Sequence, residues 1–246
     1  GTRPIWIKGH AGSGKSVLLL HSLKDYLVRN PKANVCVVVF TKALVDLLRN
    51  GIRQVPALAN RRVPVYTIYD LNKSLNNGTR YQAIFCDEIQ DLPIDFISRM
   101  KASCTHLIIA GDAAQSIYNS VPTFNSKPAT PQEITTSIAP VEKQLGIIYR
   151  LTTSVIAMLR NVFAEMLNDM PRVGNEDTQI KLFQCPSNED EIKYCWKDSK
   201  ETNNLRPADV IAILICGHDS IVSFVNSVLM IEGKPLWTRV NDKEKK

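Results

Sequence analysis

The sequence predicts an α/β fold, a parallel sheet with crossover helices, and three observations predict it. Strand-like apolar runs recur at Ile5 to Ile7, Val35 to Phe40, Val63 to Thr67, Tyr81 to Cys86 and Leu107 to Ala110. Helix-period or polar segments separate them, as successive parallel strands require. A glycine-rich turn, residues 9 to 16, stands where the first strand-like run gives way to the first helix-like one.

The strand Pro4 to Lys8 enters that turn and a helix from Val17 to Arg29 leaves it, with Val17, Leu20, Leu23 and Leu27 at three-to-four spacing for packing on a sheet. The turn reads Gly9-His10-Ala11-Gly12-Ser13-Gly14-Lys15-Ser16, a full G-x-x-x-x-G-K-S in the strand-turn-helix context that gives this motif its chemistry. Gly9, Gly12 and Gly14 let the N–H groups of the loop, that of Ser13 included, turn inward around a polyphosphate at the positive end of the helix. Lys15 bridges the terminal phosphates of a nucleotide such as ATP, and Ser16 holds Mg²⁺.

A second helix begins near Lys42 with Leu44, Leu47 and Leu48, and Arg49, Arg53, Arg61 and Arg62 cluster after it starts. Such a group suits phosphates of a nucleic acid or a solvated helix end equally well. The strand Tyr81 to Cys86 ends in Asp87-Glu88-Ile89-Gln90-Asp91. Adjacent carboxylates at a strand end suit phosphoryl transfer, with Asp87 orienting the metal and Glu88 activating the attacking water. The strand from His106 ends in Gly111-Asp112 and runs on to Gln115-Ser116-Ile117-Tyr118. The uncharged amide of Gln115 suits a γ-phosphate or lytic water, and it could report nucleotide state to whatever Tyr118 touches.

From Asn119 to Pro140, prolines at 122, 128, 131 and 140 among Ser, Thr and Asn read as a linker or long surface loop. Val155, Ile156, Leu159, Val162, Phe163, Met166 and Leu167 then describe an amphipathic helix capped by Thr152 or Thr153. A strand from Gln179 to Phe183, a helix through Tyr194, a strand from Val210 to Ile215 and a helix from Asp219 to Met230 follow. The expected division is a nucleotide-binding domain at 1–125, a linker at 126–145 and a partial second α/β domain at 146–246.

Composition sets limits on the class. With 246 residues, 44% apolar and 22% charged, the chain is ordinary for a soluble globular protein. It has neither an apolar run approaching eighteen residues nor a signal-peptide pattern, so a cytoplasmic protein without a membrane partner is expected. Six scattered cysteines without a C-x-x-C pair read as reduced thiols, and the four histidines form no ligand pattern. Net charge is +6, and its excess lies early: 15 Lys/Arg against 8 Asp/Glu up to Tyr118.

Taken in order, Gly9 to Ser16, Thr41-Lys42-Ala43-Leu44, Thr67-Ile68-Tyr69, Asp87 to Asp91, Gly111 to Tyr118 and Tyr149-Arg150 resemble the UvrD/Rep family of superfamily 1 DNA helicases. D-E-x-Q-D and G-D-x-x-Q-S-I-Y are the discriminating pieces. The likeness runs clearly over about residues 3 to 160. It implies a P-loop NTPase fold with a RecA-like lobe and part of a second one, ATP and Mg²⁺ as cofactors, and 3′-to-5′ movement on a single strand, DNA in preference to RNA. By the same resemblance, Lys15 and Ser16 bind the β/γ-phosphates and Mg²⁺, Asp87 and Glu88 serve metal and water, and Gln115 senses the γ-phosphate. Arg150 is the finger reaching from the second lobe, Thr41, Lys42 and Thr67 lie under the strand, and Tyr118 stacks on a base.

Departures bear on function. Asn119-Ser120-Val121 stand where family members often carry Trp-Arg-Gly, and Tyr69 stands where His is usual. A glutamine motif upstream and the later motifs of the second lobe are not found, so a fragment of a larger helicase-like protein is expected. A nucleotide-gated interaction module without unwinding activity is the alternative. A small-molecule kinase is opposed by the hydrolytic carboxylate pair.

Overall fold

The computed structural model describes residues 2–112, 116, 121, 124–162, 180–205, 213, 215 and 218–233. The chain divides into two compact units, Gly1–Gln179 and Ile180–Lys246.

In the first unit, β1 (Ile5–Gly9), β2 (Val35–Val39), β3 (Val65–Thr67), β4 (Tyr81–Cys86), β5 (Cys104–Gly111) and β6 (Val141–Leu145) form one sheet. Its order is β3-β2-β4-β5-β1-β6 and every pairing is parallel. This is a RecA-like α/β sheet in which β5 is inserted between β1, which leads to the phosphate loop, and β4, which leads to the acids. Connecting helices are α1 (Lys15–Arg29), α2 (Lys42–Gln54), α3 (Ile68–Asn76), α4 (Ile94–Ala102), α5 (Pro131–Ile138) and α6 (Thr153–Val162).

Because successive side chains of a strand point to opposite faces, each strand feeds two cores. Ile7, Val37, Val39, Phe85 and Ile108 pack with Leu19, Leu23 and Leu27 of α1 and Val45, Leu48 and Ile52 of α2. Trp6, Val38, Ile84, Cys86 and Ile109 pack with Leu71 of α3, Phe96 and Met100 of α4 and Ile134 and Ile138 of α5. The five predicted strands are present, and Cys36 and Cys86 are buried thiols within them.

The expected linker at 126–145 is corrected. Thr130 and Glu133 form a capping box with Pro131 at the first helical position, and α5 follows. Val141 N–H donates to Pro4 O at 2.7 Å and opens β6, which pairs with β1 from Ile5↔Val141 to Gly9↔Leu145. The prolines punctuate a helix start and a strand entry. The polar run Glu142-Lys143-Gln144 suits an edge strand, whose outer side faces solvent.

In the second unit, α7 (Asn188–Leu205) and α8 (His218–Glu232) pack through Ile192, Phe224 and Val228. Trp196 Nε1 and Lys200 Nζ both donate to Glu232 Oε1, at 2.7 and 2.8 Å. Both helices were expected. Residues 180–183, expected as a strand, have no strand pairing, and of the expected strand at 210–215 only Ile213 and Ile215 are among the described residues.

Candidate nucleotide site

All strands run the same way, so the turns after β1, β2, β3, β4 and β5 emerge along one edge of the sheet. The sequence-selected residues meet there. Gly14 caps α1 in the left-handed region at φ 89°, with no side-chain cap and no acid in the first turn. The helix therefore presents unsatisfied N–H groups to the loop, the arrangement that receives an anion.

Lys15 is buried, and its Nζ donates to Gly9 O at 2.8 Å and His10 O at 3.0 Å. An ammonium carries three donors, so one remains for a phosphate oxygen. Ser13 Oγ is buried without a hydrogen-bond partner. A Cβ added at Gly9 would stand 2.9 Å from the Leu145 Cβ, so the loop's first residue has room only as glycine where β6 closes on it. The donors, the unpaired hydroxyl and the capless helix end fit a polyphosphate.

From β4, Asp87 brings its carboxylate close enough to Ser16 and Lys15 for both to act on its titration, and its Oδ1 accepts a hydrogen bond from Glu88 N–H at 3.1 Å. The acids thus lie beside the phosphate loop. Burial pushes the Asp87 pKa up, further raised by the Glu88 charge, while the nearby Ser16 hydroxyl and Lys15 ammonium pull the other way. A hydroxyl beside a carboxylate is a hard oxygen pair, the donor chemistry that Mg²⁺ takes. When bound, Mg²⁺ would be held by Ser16 and Asp87 and would neutralise phosphate charge.

Glu88 sits in the left-handed region at φ 55° and ψ 47°, a conformation that costs an L-residue about 1–2 kcal/mol. Gln90, in the 3₁₀ turn Ile89–Asp91, holds it there. Its Nε2 donates to Glu88 Oε2 at 2.7 Å, and its Oε1 accepts from Asp112 N–H at 3.1 Å. A Cβ on Gly111 would collide with the Gln90 amide, so Gly111 makes room for it. Gln90 and Gly111 stand within the motifs without a role legible from the sequence. Their partners come from different strands, and the signal was only the x-Q spacing after the acids.

Burial with the nearby Glu88 charge pushes the Asp91 pKa up to about 6, against the opposing pull of the Ser116 hydroxyl. The turn after β4 is tied to the turn after β5 through Gln90, which accepts from Asp112 N–H. Gln115 and Tyr118 lie outside the described residues.

Arg150 was expected to reach across from a second lobe; it lies instead in the same unit as the phosphate loop. β6 carries the chain back to the loop, where Tyr149 N–H and Arg150 N–H donate to Gly12 O at 2.9 and 3.3 Å. Gly12 has φ 75°, and a Cβ there would be 2.7 Å from the Arg150 Cβ.

Thr41 and Thr67 cap helices at the same sheet edge. Thr41 accepts from Leu44 N–H at 3.4 Å. Thr67 is buried, donating its hydroxyl to Asp70 Oδ2 at 2.7 Å and accepting from Asp70 N–H at 3.3 Å. Its hydroxyl is therefore engaged by the cap, while Lys42 is exposed at the start of α2.

Residues 5–157 match the viral superfamily 1 RNA helicase core domain. The chain belongs to that family. A superfamily 1 helicase core accounts for the phosphate loop, the acids and the parallel sheet in one assignment. Among solved structures, the chain is similar to the Hef helicase domain of Pyrococcus furiosus at 13% identity, covering 94% of this chain and 52% of that one with a TM-score of 0.41. It is similar to the Pif1 helicase of Candida albicans at 16% identity, covering 90% and 57% with a TM-score of 0.45. Domain III of the Thermotoga maritima replication initiation protein DnaA matches at 17% identity, covering 65% and 61% with a TM-score of 0.32. The chain spans between half and two thirds of the length of each. No curated protein sequence matches it.

Proposed function

We propose that this chain is the ATP-binding and hydrolysing part of a superfamily 1 helicase or single-strand translocase. The observation that supports this reading most is that the phosphate loop and the acidic strand end meet at one edge of the parallel sheet, where Gln90 links Glu88 to Asp112 and the His10 ring lies 3.8 Å from the Asp112 carboxylate. Lys15 binds the terminal phosphates, and Ser16 with Asp87 holds Mg²⁺. Glu88, anchored by Gln90, accepts a proton from the attacking water at its carboxylate. Arg150 meets charge developing on the phosphoryl group, and Gln115 senses the γ-phosphate. Thr41, Lys42, Thr67 and Tyr118 contribute to the track for a single strand. Residues 146–246 include the beginning of a second RecA-like lobe.

The UvrD-like resemblance implies DNA and 3′-to-5′ movement, whereas the family's description names RNA helicases. Stimulation of ATP hydrolysis by single-stranded RNA against DNA separates the two. For the nucleotide site, Lys15→Ala is expected to abolish Mg·ATP binding, and Glu88→Gln to preserve binding while removing turnover. Equal ATP affinity for wild type and Lys15→Ala in isothermal titration would refute the phosphate-loop assignment.

A further inference from the structure

The four arginines grouped in the sequence around the end of the second helix come together in the fold. Arg49 and Arg53 on the second half of α2, and Arg61 and Arg62 on the loop into β3, line a cavity of about 430 Å³ with Ile52 and Pro64. The nucleotide site occupies the edge where the parallel strands end. The helix α2 runs back from Thr41 at that edge, so its last turn and the 55–64 loop before β3 lie at the opposite edge. Two hydrogen bonds agree with this placement. Arg61 Nη1 donates to Pro31 O, in the turn before β2, at 3.0 Å, and Arg49 Nη2 donates to Val65 O, at the first residue of β3, at 3.4 Å.

The cavity keeps a strong positive charge. Asp46 faces Arg49 at 3.5 Å, an exposed pair of small worth. The C-terminal end of α2 adds roughly half a negative charge. Four guanidinium groups outweigh both, leaving an excess of about two and a half positive charges. Arg49 and Arg61 are partly preorganised by the carbonyls they hold, and each guanidinium carries further N–H donors in a fork that matches phosphate oxygens. Ala59, Val63 and Pro64, exposed or half-buried, add apolar surface beside these donors.

We propose that this cavity is a second polynucleotide site, which takes the phosphodiester backbone of a single strand at the sheet edge opposite the nucleotide site. Guanidinium forks engage successive phosphates while the apolar residues meet sugar faces. An acidic peptide would satisfy the charge but leave less for that apolar surface to cover. The excess of Lys/Arg over Asp/Glu in this part of the chain, 15 against 8 up to Tyr118, favours the strand as well. The proposal rests on the reading that a polynucleotide is the substrate, and it adds where a length of that strand is held.

The test measures binding of labelled U30 and dT30 by fluorescence anisotropy from 50 to 200 mM salt, for wild type, Arg53→Gln/Arg62→Gln and Lys15→Ala. Arg53 and Arg62 are chosen because Arg49 and Arg61 hold backbone carbonyls. Losing two phosphate contacts on a single strand lowers the salt slope by about 1.4, so the wild type should lose roughly sevenfold more affinity than the double variant across that range. ATP affinity of the double variant should equal wild type, and U30 should protect amides of 49–64 from hydrogen exchange. The U30 and dT30 arms show whether the cavity distinguishes RNA from DNA. Equal slopes and affinities for the double variant and wild type overturn the proposal. So does an oligoglutamate peptide that binds wild type and loses affinity in the double variant while U30 and dT30 do not. Absence of U30 and dT30 binding to wild type also overturns it, whereas absence of ATP binding with an altered strand slope overturns the nucleotide reading and leaves the cavity standing.

Discussion

Replacing Gln90 with methionine keeps the buried volume and deletes both hydrogen bonds of the side chain, which isolates its part in positioning Glu88. The Nε2–H bond to the Glu88 carboxylate is charge-assisted at 2.7 Å. Because Glu88 is only half-buried, the lower end of such bonds applies, about 1.5 kcal/mol. Asp112 N–H also loses its side-chain acceptor in a buried setting, at a cost of about 1–3 kcal/mol. Together these come to about 3 kcal/mol, a fall in Tm of roughly 6–12 °C for a unit of this size. The larger effect should be on turnover. Glu88 holds an unfavourable backbone conformation, and without its anchor the carboxylate samples other rotamers, so kcat should fall about tenfold to a hundredfold. ATP affinity, set by the phosphate loop, should stay within about twofold of wild type, a margin of roughly 0.4 kcal/mol. Gln90→Glu sharpens the test, because it keeps the acceptor for Asp112 and sets a like charge against Glu88. It should cost at least as much stability as methionine, because its carboxylate is buried against that of Glu88, and at least as much turnover. Differential scanning fluorimetry, isothermal titration and steady-state ATP hydrolysis read the three quantities. A Gln90→Met variant with lowered Tm and unchanged kcat would reduce Gln90 to a packing residue and refute the positioning argument.

Two further outcomes follow from the same geometry. Asp91, with its pKa raised from 3.8 to about 6 by burial and by Glu88, binds a proton more tightly when folded than when unfolded. Its contribution is full below about pH 4 and is lost as pH rises through about 6. Asp91→Asn should remove that component, so the Tm difference between variant and wild type should grow in the variant's favour between pH 4 and 6; a difference independent of pH would refute it. Gly12→Ala combines a left-handed backbone, about 1–2 kcal/mol, with a Cβ 2.7 Å from that of Arg150, whereas at Gly14 nothing lies within 4 Å of the added atom. Gly12→Ala should therefore be the more destabilising and should weaken ATP binding, and equal Tm losses for the two variants would contradict the close approach of residues 149–150 to the loop.

Strand interiors and the phosphate loop were readable because their signals are local. Val35 to Val39 are apolar in succession, and α1 buries Leu23 and Leu27 as its periodicity predicts, although Leu19 packs on the sheet where Val17 was expected, Val17 is exposed and Leu20 is only partly buried. Asp87 at a strand end could likewise be assigned from its neighbours in sequence. Residues 131–145 were less readable. Among the described residues the strand Val141–Leu145 pairs with β1 alone, and its middle is polar, so it lacks the apolar run that marks a buried strand, and the prolines around it resemble loop punctuation.

Residue order along the chain already contained the strand, turn and helix alternation, the nucleotide-binding loop and the pair of acids, because each depends on neighbours within one turn or one strand. Only the packed sheet brings Ser16 to Asp87, places Arg150 on Gly12 within the first unit, runs Gln90 from Glu88 to Asp112, and gathers Arg49, Arg53, Arg61 and Arg62 around one cavity. Those contacts join residues on different strands and loops. Strand order and parallel direction create them, and no local pattern encodes which strand ends will be neighbours.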